Sequence, residues 1–116
     1  MSDKINLDDL TFVVGVPSGV PGLEHALVHH PLLRTPLGTM FYMRTGNATL
    51  EILWIYTLPR YRRQGVMRTL FNFVRENHDE IKRFLTANGS DEGGQGWLKA
   101  LGFKRDAITN DWTLEP

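Results

Sequence analysis

The stretch Leu50-Glu51-Ile52-Leu53-Trp54-Ile55-Tyr56-Thr57-Leu58-Pro59-Arg60-Tyr61-Arg62-Arg63-Gln64-Gly65-Val66-Met67-Arg68-Thr69-Leu70-Phe71-Asn72-Phe73 contains two periodicities joined by a turn. Its first part is a near-continuous apolar run, as expected of a strand buried near the centre of a sheet. Pro59 ends the run, because it has no amide hydrogen to give to a ladder. Beyond Gly65, the residues Val66, Met67, Leu70, Phe71, Phe73 and Val74 form a wide apolar stripe at helical spacing, with Arg68, Asn72, Arg75 and Glu76 left for water. The segment therefore reads as strand, arginine-rich turn and exposed helix start. The first amides of a helix have no intrahelical acceptor and lie at the positive end of its dipole, which suits phosphate oxygens. A phosphate-bearing ligand is the first functional expectation.

Upstream, Thr39 to Arg44 reads as a strand, Thr45-Gly46-Asn47 as a tight turn, and Ala48 to Leu58 as the antiparallel strand that leads into the arginines. Leu10 to Val16 is a further strand, stopped by Pro17-Ser18-Gly19. Between them, Leu23, Ala26, Leu27 and His30 fall at helical spacing, and Pro21, Pro31 and Pro36 limit region 18 to 36 to short helices. Downstream, the expected order is a strand from Ile81 to Thr86, a glycine-rich loop from Asp91 to Gly96, a short helix from Trp97 to Leu101 ended by Gly102, and a hairpin from Phe103 to Leu114 turning about Thr109-Asn110. This order predicts an α/β (α+β) fold with a mixed, mainly antiparallel twisted sheet flanked by helices.

Composition narrows the function classes. The 116 residues, 41% of them hydrophobic, fit one domain spanning 1–116. Formal net charge is zero, so no global field favours nucleic acid or an anionic membrane; five of the thirteen Lys and Arg residues nevertheless lie between Arg60 and Arg75. Without cysteine there is no disulfide or thiolate chemistry, and no signal-like apolar stretch opens the chain, which points to a cytoplasmic protein. No apolar run approaches the roughly 20 residues that span a bilayer.

The segment Pro59 to Leu70 resembles the acetyl-CoA signature of the GCN5-related N-acetyltransferases (GNAT): Arg or Gln, two variable residues, Gly, a variable residue, then Gly or Ala. Arg62 and Gly65 match, whereas Met67 stands where the pattern has a small residue. Trp97-Leu98-Lys99-Ala100-Leu101-Gly102-Phe103 is similar to the family's late helix and its Gly-Phe lead into the closing strands. The resemblance implies the compact acyl-CoA N-acyltransferase fold and transfer of an acetyl group from acetyl-CoA to a primary amine, on a small molecule or a protein, by direct attack through a tetrahedral intermediate.

Residue by residue, it implies that Arg62, Arg63, Gln64, Gly65, Val66, Met67 and Arg68 surround the cofactor's pyrophosphate, largely through backbone amides. Ile55, Tyr56 and Thr57 would offer backbone groups to the pantetheine arm and thioester, and Asn88 would contact CoA. Glu51 lies fourteen positions before Gly65, the offset of the glutamate base in histone-type members, and is the candidate general base. A tyrosine often protonates the leaving thiolate, but Leu98 occupies that position, so Tyr56 and Tyr61 are the phenols left to consider. Strand alternation would put Glu51, Leu53 and Ile55 on one face.

The departures at Met67 and Leu98 keep open a second reading, a non-catalytic GNAT-fold module that binds or regulates. The arginine cluster suggests a small nucleic-acid binder, which the neutral net charge opposes. His25 and His29 are four apart and would share a helix face at metal-ligand spacing, yet no further ligand completes a site, so no metal is expected. The acceptor groove or ordinary packing accounts for them. The closing strands offer an edge on which a homodimer could form.

Overall fold

The computed structural model describes residues 4–17, 19–86 and 92–115. Its strands are β1 (Thr11–Gly15), β2 (Leu23–His29), β3 (Gly38–Gly46), β4 (Thr49–Thr57), β5 (Arg83–Thr86), β6 (Lys104–Arg105) and β7 (Trp112–Leu114); its α-helices are α1 (Val66–Glu76) and α2 (Glu92–Leu101). They form one seven-stranded sheet in the order β1-β2-β3-β4-β5-β7-β6. Only the β4–β5 pair is parallel among the ladders described. The mixed, mainly antiparallel sheet expected from the sequence is present.

Handedness fixes where the helices lie. α1 connects the parallel strands β4 and β5, and α2 connects β5 to β6, which runs parallel to it because both are antiparallel to β7. Right-handed crossovers stepping the same way across a sheet place both helices on one face. The core lies between that face and α1. Ala26, Val28, Met40, Tyr42, Leu50, Ile52 and Phe84 meet Val66, Met67, Leu70, Phe71 and Val74, all buried. Phe71 sets its ring edge-on to Phe84 at 5.2 Å, and Phe73 stacks on Phe12 of β1 at 4.7 Å. Each fully buried side chain of this size contributes about 1.5–3 kcal/mol, which holds α1 in place.

Two expectations are corrected. Residues 23–29 form β2 rather than a helix: Ala26 and Val28 are buried, while His25, Leu27 and His29 share the opposite face. A short run apolar on both faces does not distinguish the two periods, and here β1 and β3 supply ladders on either side. The early connection therefore turns at residues 19–22, and the second sheet face carries no helix among the described residues.

The second correction is α2, which starts at Glu92 and takes in Gly93, Gly94 and Gly96, expected in a loop. Glycine in a helix costs about 1 kcal/mol relative to alanine. Tertiary anchoring outweighs it: Leu98 is buried, and Gly102, at φ 97°, closes a Schellman motif in which Phe103 N donates to Leu98 O and Gly102 N to Lys99 O, both at 3.0 Å.

Candidate functional site

The site grows from an irregularity in β4. Tyr42 is paired with Ile52 and Phe41 with Trp54, so Leu53 is an extra residue with no partner on β3, a β-bulge. The bulge resets the alternation. Leu50 and Ile52 point into the core before it and Ile55 after it, whereas Glu51, Trp54 and Tyr56 share the uncovered face. The expectation that Glu51, Leu53 and Ile55 lie on one face is thus overturned by a feature that nothing in the composition of Leu53 announces.

The described part of the parallel ladder pairs Thr49 to Ile52 of β4 with Arg83 to Thr86 of β5. The N–H of Leu58 donates to Leu37 O at 2.9 Å, which makes Thr57 and Gly38 a non-hydrogen-bonded pair. Thr57, and Ile55 two residues before it, therefore turn both backbone polar groups away from β3, toward the other edge of β4. The orientation of Thr57 is directly visible, because its carbonyl accepts from Nε of Arg62 at 2.9 Å.

At the end of β4 the chain makes a single 3-10 turn, Pro59–Tyr61, and reaches α1 through two left-handed residues, Arg63 at φ 64° and Gly65 at φ 85°. Gly65 carries the left-handed backbone at no steric cost and occupies the N-cap position, where no side chain caps the helix. Its carbonyl accepts from Thr69 N at 3.0 Å and from Thr69 Oγ1 at 2.8 Å, which pins the first turn. The start of α1 thus presents uncapped amides a short turn after the end of β4, an anion-binding arrangement.

The side chains of the turn divide sharply. Val66 and Met67 are buried in the core, so Met67 fills space beneath the helix rather than crowding the amides. The side chain of Gln64 accepts from Ile5 N at 2.9 Å and ties the N-terminal segment to the turn. Arg62 lies across Thr57 O with its guanidinium 5.7 Å from the centroid of the Tyr56 ring. Arg63 and Arg68 are exposed.

The sequence model described as "Acetyltransferase (GNAT) family" matches residues 24–103, a span that holds the β4 bulge, the left-handed turn and both helices. The chain belongs to the GNAT acetyltransferase family. Solved structures agree on the fold. The chain is similar to YhhK from E. coli bound to coenzyme A (TM-score 0.75, 15% identity, covering 92% of this chain and 98% of that one). It is also similar to a GNAT family acetyltransferase from Elizabethkingia anophelis with acetyl-CoA bound (TM-score 0.69, 16% identity, 94% and 99% covered). Tetrahymena GCN5 matches at TM-score 0.68 and 13% identity over 83% of this chain and 69% of that one. Comparison with curated protein sequences gives no match.

In this GNAT chain, Glu51 is half-buried between Met43 of β3 and Leu85 of β5 on the uncovered face. Along that face runs an aromatic row that the sequence reading did not assemble: His25 meets Phe41 at 5.5 Å, Phe41 meets Trp54 at 5.5 Å, and Trp54 stacks on Tyr56 at 5.9 Å. The signal was present only as scattered aromatics, since a row across strands depends on register. Tyr56 belongs to this row, whereas Tyr61 packs half-buried against the core. Leu98, at the position of the missing acid, is buried. His25 and His29 keep a common face through strand spacing, and the described residues hold no cluster that could ligate a metal. Asn88 lies outside the described residues. No helix among the described residues is long and apolar enough to cross a membrane.

Proposed function

We propose that this GNAT chain is an acetyl-CoA-dependent N-acetyltransferase that moves an acetyl group to a primary amine by direct attack. The observation that carries the reading is the juxtaposition of the outward-turned backbone of Ile55 and Thr57 with the uncapped start of α1. One offers strand-like hydrogen bonds to an extended amide-bearing arm, the other holds a diphosphate, and the two are joined by eight residues of chain from Leu58 to Gly65. The residues present thus fit acetyl-CoA, which would supply the activated acetyl thioester. Two structural relatives are described with coenzyme A or acetyl-CoA bound, in line with this donor.

The roles follow from placement. Backbone amides from Arg63 to Arg68 hold the phosphates, and Arg63 and Arg68 add charge. The amide of Ile55 faces away from β3 and would be the donor to the oxyanion. Glu51 takes the proton of the attacking amine, and the amine approaches from the face that Glu51, Trp54 and Tyr56 share. Leu98 is buried and has no proton to give, so the leaving thiolate departs without an acid at that position.

A thermal-shift titration tests the donor. Acetyl-CoA at about a hundred times its Kd should add about 2.7 kcal/mol of stability, and no shift at millimolar acetyl-CoA or CoA would remove the enzyme reading. Glu51→Gln should lower kcat about a hundredfold or more with CoA affinity unchanged; unaltered turnover would remove Glu51 as the base. Binding of CoA with no turnover on any amine would support the non-catalytic module instead.

A further inference from the structure

Arg62 occupies an unexpected position for the arginine that opens the phosphate signature. Its Nε donates to the carbonyl of Thr57 at 2.9 Å, and its guanidinium rests over the ring of Tyr56, 5.7 Å from the centroid. Thr57 is also a strand residue that turns its polar groups away from β3, because its pairing with Gly38 is of the non-hydrogen-bonded type. The arginine therefore fills a hydrogen-bonding position on β4 that an incoming amide-bearing arm needs. It sits five residues along the chain from Thr57 and three before Gly65, the N-cap of α1.

We propose that Arg62 is a positioning residue that acts as a latch: it covers the carbonyl of Thr57 until a diphosphate at the start of α1 draws the guanidinium away, so the strand edge opens only to donors that carry the diphosphate. The inference rests on the acetyl-CoA reading above and adds discrimination between donors to it. The physical argument is one of competition. A charge-assisted bond to phosphate is stronger than a bond to a neutral carbonyl, and Arg presents several donors in a fixed fork that matches phosphate oxygens. CoA supplies the stronger partner as it claims Thr57 O. Pantetheine, which has the amide-bearing arm and no phosphate, must displace Arg62 without replacing its bond.

The test compares binding of CoA and of pantetheine, by calorimetry and NMR titration, to the wild type and to Arg62→Met, which keeps a flexible apolar stem beside Tyr56 and removes the donors. The variant should bind CoA about tenfold more weakly and pantetheine several-fold more tightly, narrowing the ratio between the two ligands from both sides. A second readout needs no substitution: in the wild type the Nε–H resonance of Arg62 should shift on adding CoA and remain in place on adding inorganic phosphate below its binding range. If Arg62→Met weakens CoA and leaves pantetheine unchanged or weaker, Arg62 is only a phosphate contact and the latch is overturned. A wild-type Nε–H resonance that CoA does not move overturns it as well. Failure of the wild type to bind CoA at all overturns the donor reading, and the latch with it.

Discussion

Removing Leu53 alone should leave the fold standing while re-aiming the strand edge from which the site is built. The pairs Tyr42 with Ile52 and Phe41 with Trp54 flank the bulge, so the deletion makes two existing pairs consecutive and requires no strand to slip. Every side chain beyond the deletion keeps its face. Leu53 is 46% exposed, so its burial contributes about 1 kcal/mol, roughly half the value for a fully buried leucine. A regular ladder at that point recovers part of the loss, because a bulge leaves its extra residue unpaired. Urea denaturation should therefore place the variant within about 1 kcal/mol of the wild type, a shift in Tm of about 4 °C or less for a chain of this size. Binding should respond very differently. Without the added twist of the bulge, the edge of β4 that carries the groups of Ile55 and Thr57 turns relative to the start of α1. CoA affinity should fall at least about tenfold, measured by calorimetry on the folded variant. A folded variant that keeps its CoA affinity within about twofold would refute the argument that the bulge makes the site.

Further expectations concern single side chains. Gly65→Ala should cost about 1 kcal/mol in urea denaturation, because φ 85° is strained for any residue with a Cβ, while the added atom meets only Leu7 Cδ1 at 3.5 Å, an ordinary contact; an unchanged midpoint would show that the left-handed turn is not held in solution. Met67→Ala restores the small residue of the family pattern, yet it should lose about 2–4 kcal/mol through the cavity it leaves, with CoA affinity unaltered at temperatures where the variant is folded. Tighter CoA binding by that variant would mean that Met67 obstructs the phosphates. Burial, reinforced by the negative charge of Glu24, pushes the Tyr42 phenol up from 10.0 to about 12. A raised pKa favours the protonated form in the folded state, so stability is intact below pH 10 and declines by about 2 kcal/mol as pH rises to about 12. A phenolate absorbance titration should show one of the three tyrosines ionising late, and the late step should vanish in Tyr42→Phe.

The strand–turn–helix from Leu50 to Phe73 was legible because each part has a local cause. Pro59 cannot extend a ladder, Gly65 takes a left-handed backbone freely, and the stripe from Val66 to Val74 fits only a helix with one buried side. The hairpin of β3 and β4 and the glycine stop at Gly102 were legible on the same grounds. The GNAT signature added the expected site to them. Where local preference was ambiguous, the reading failed: residues 23–29 carry apolar side chains on both faces, and Gly93, Gly94 and Gly96 oppose the helix they belong to.

What the sequence determined by itself was the set of elements whose conformations are dictated within a few residues, together with the chemistry of the turn between β4 and α1. Tertiary structure alone decided the face of Glu51, the aromatic row from His25 to Tyr56, the burial of Met67 and the bond from Arg62 to Thr57. Each of these depends on register between strands or on packing across the sheet. A single unpaired residue, Leu53, reverses which side chains look toward the site, and no periodicity within one strand records the partner that leaves it out.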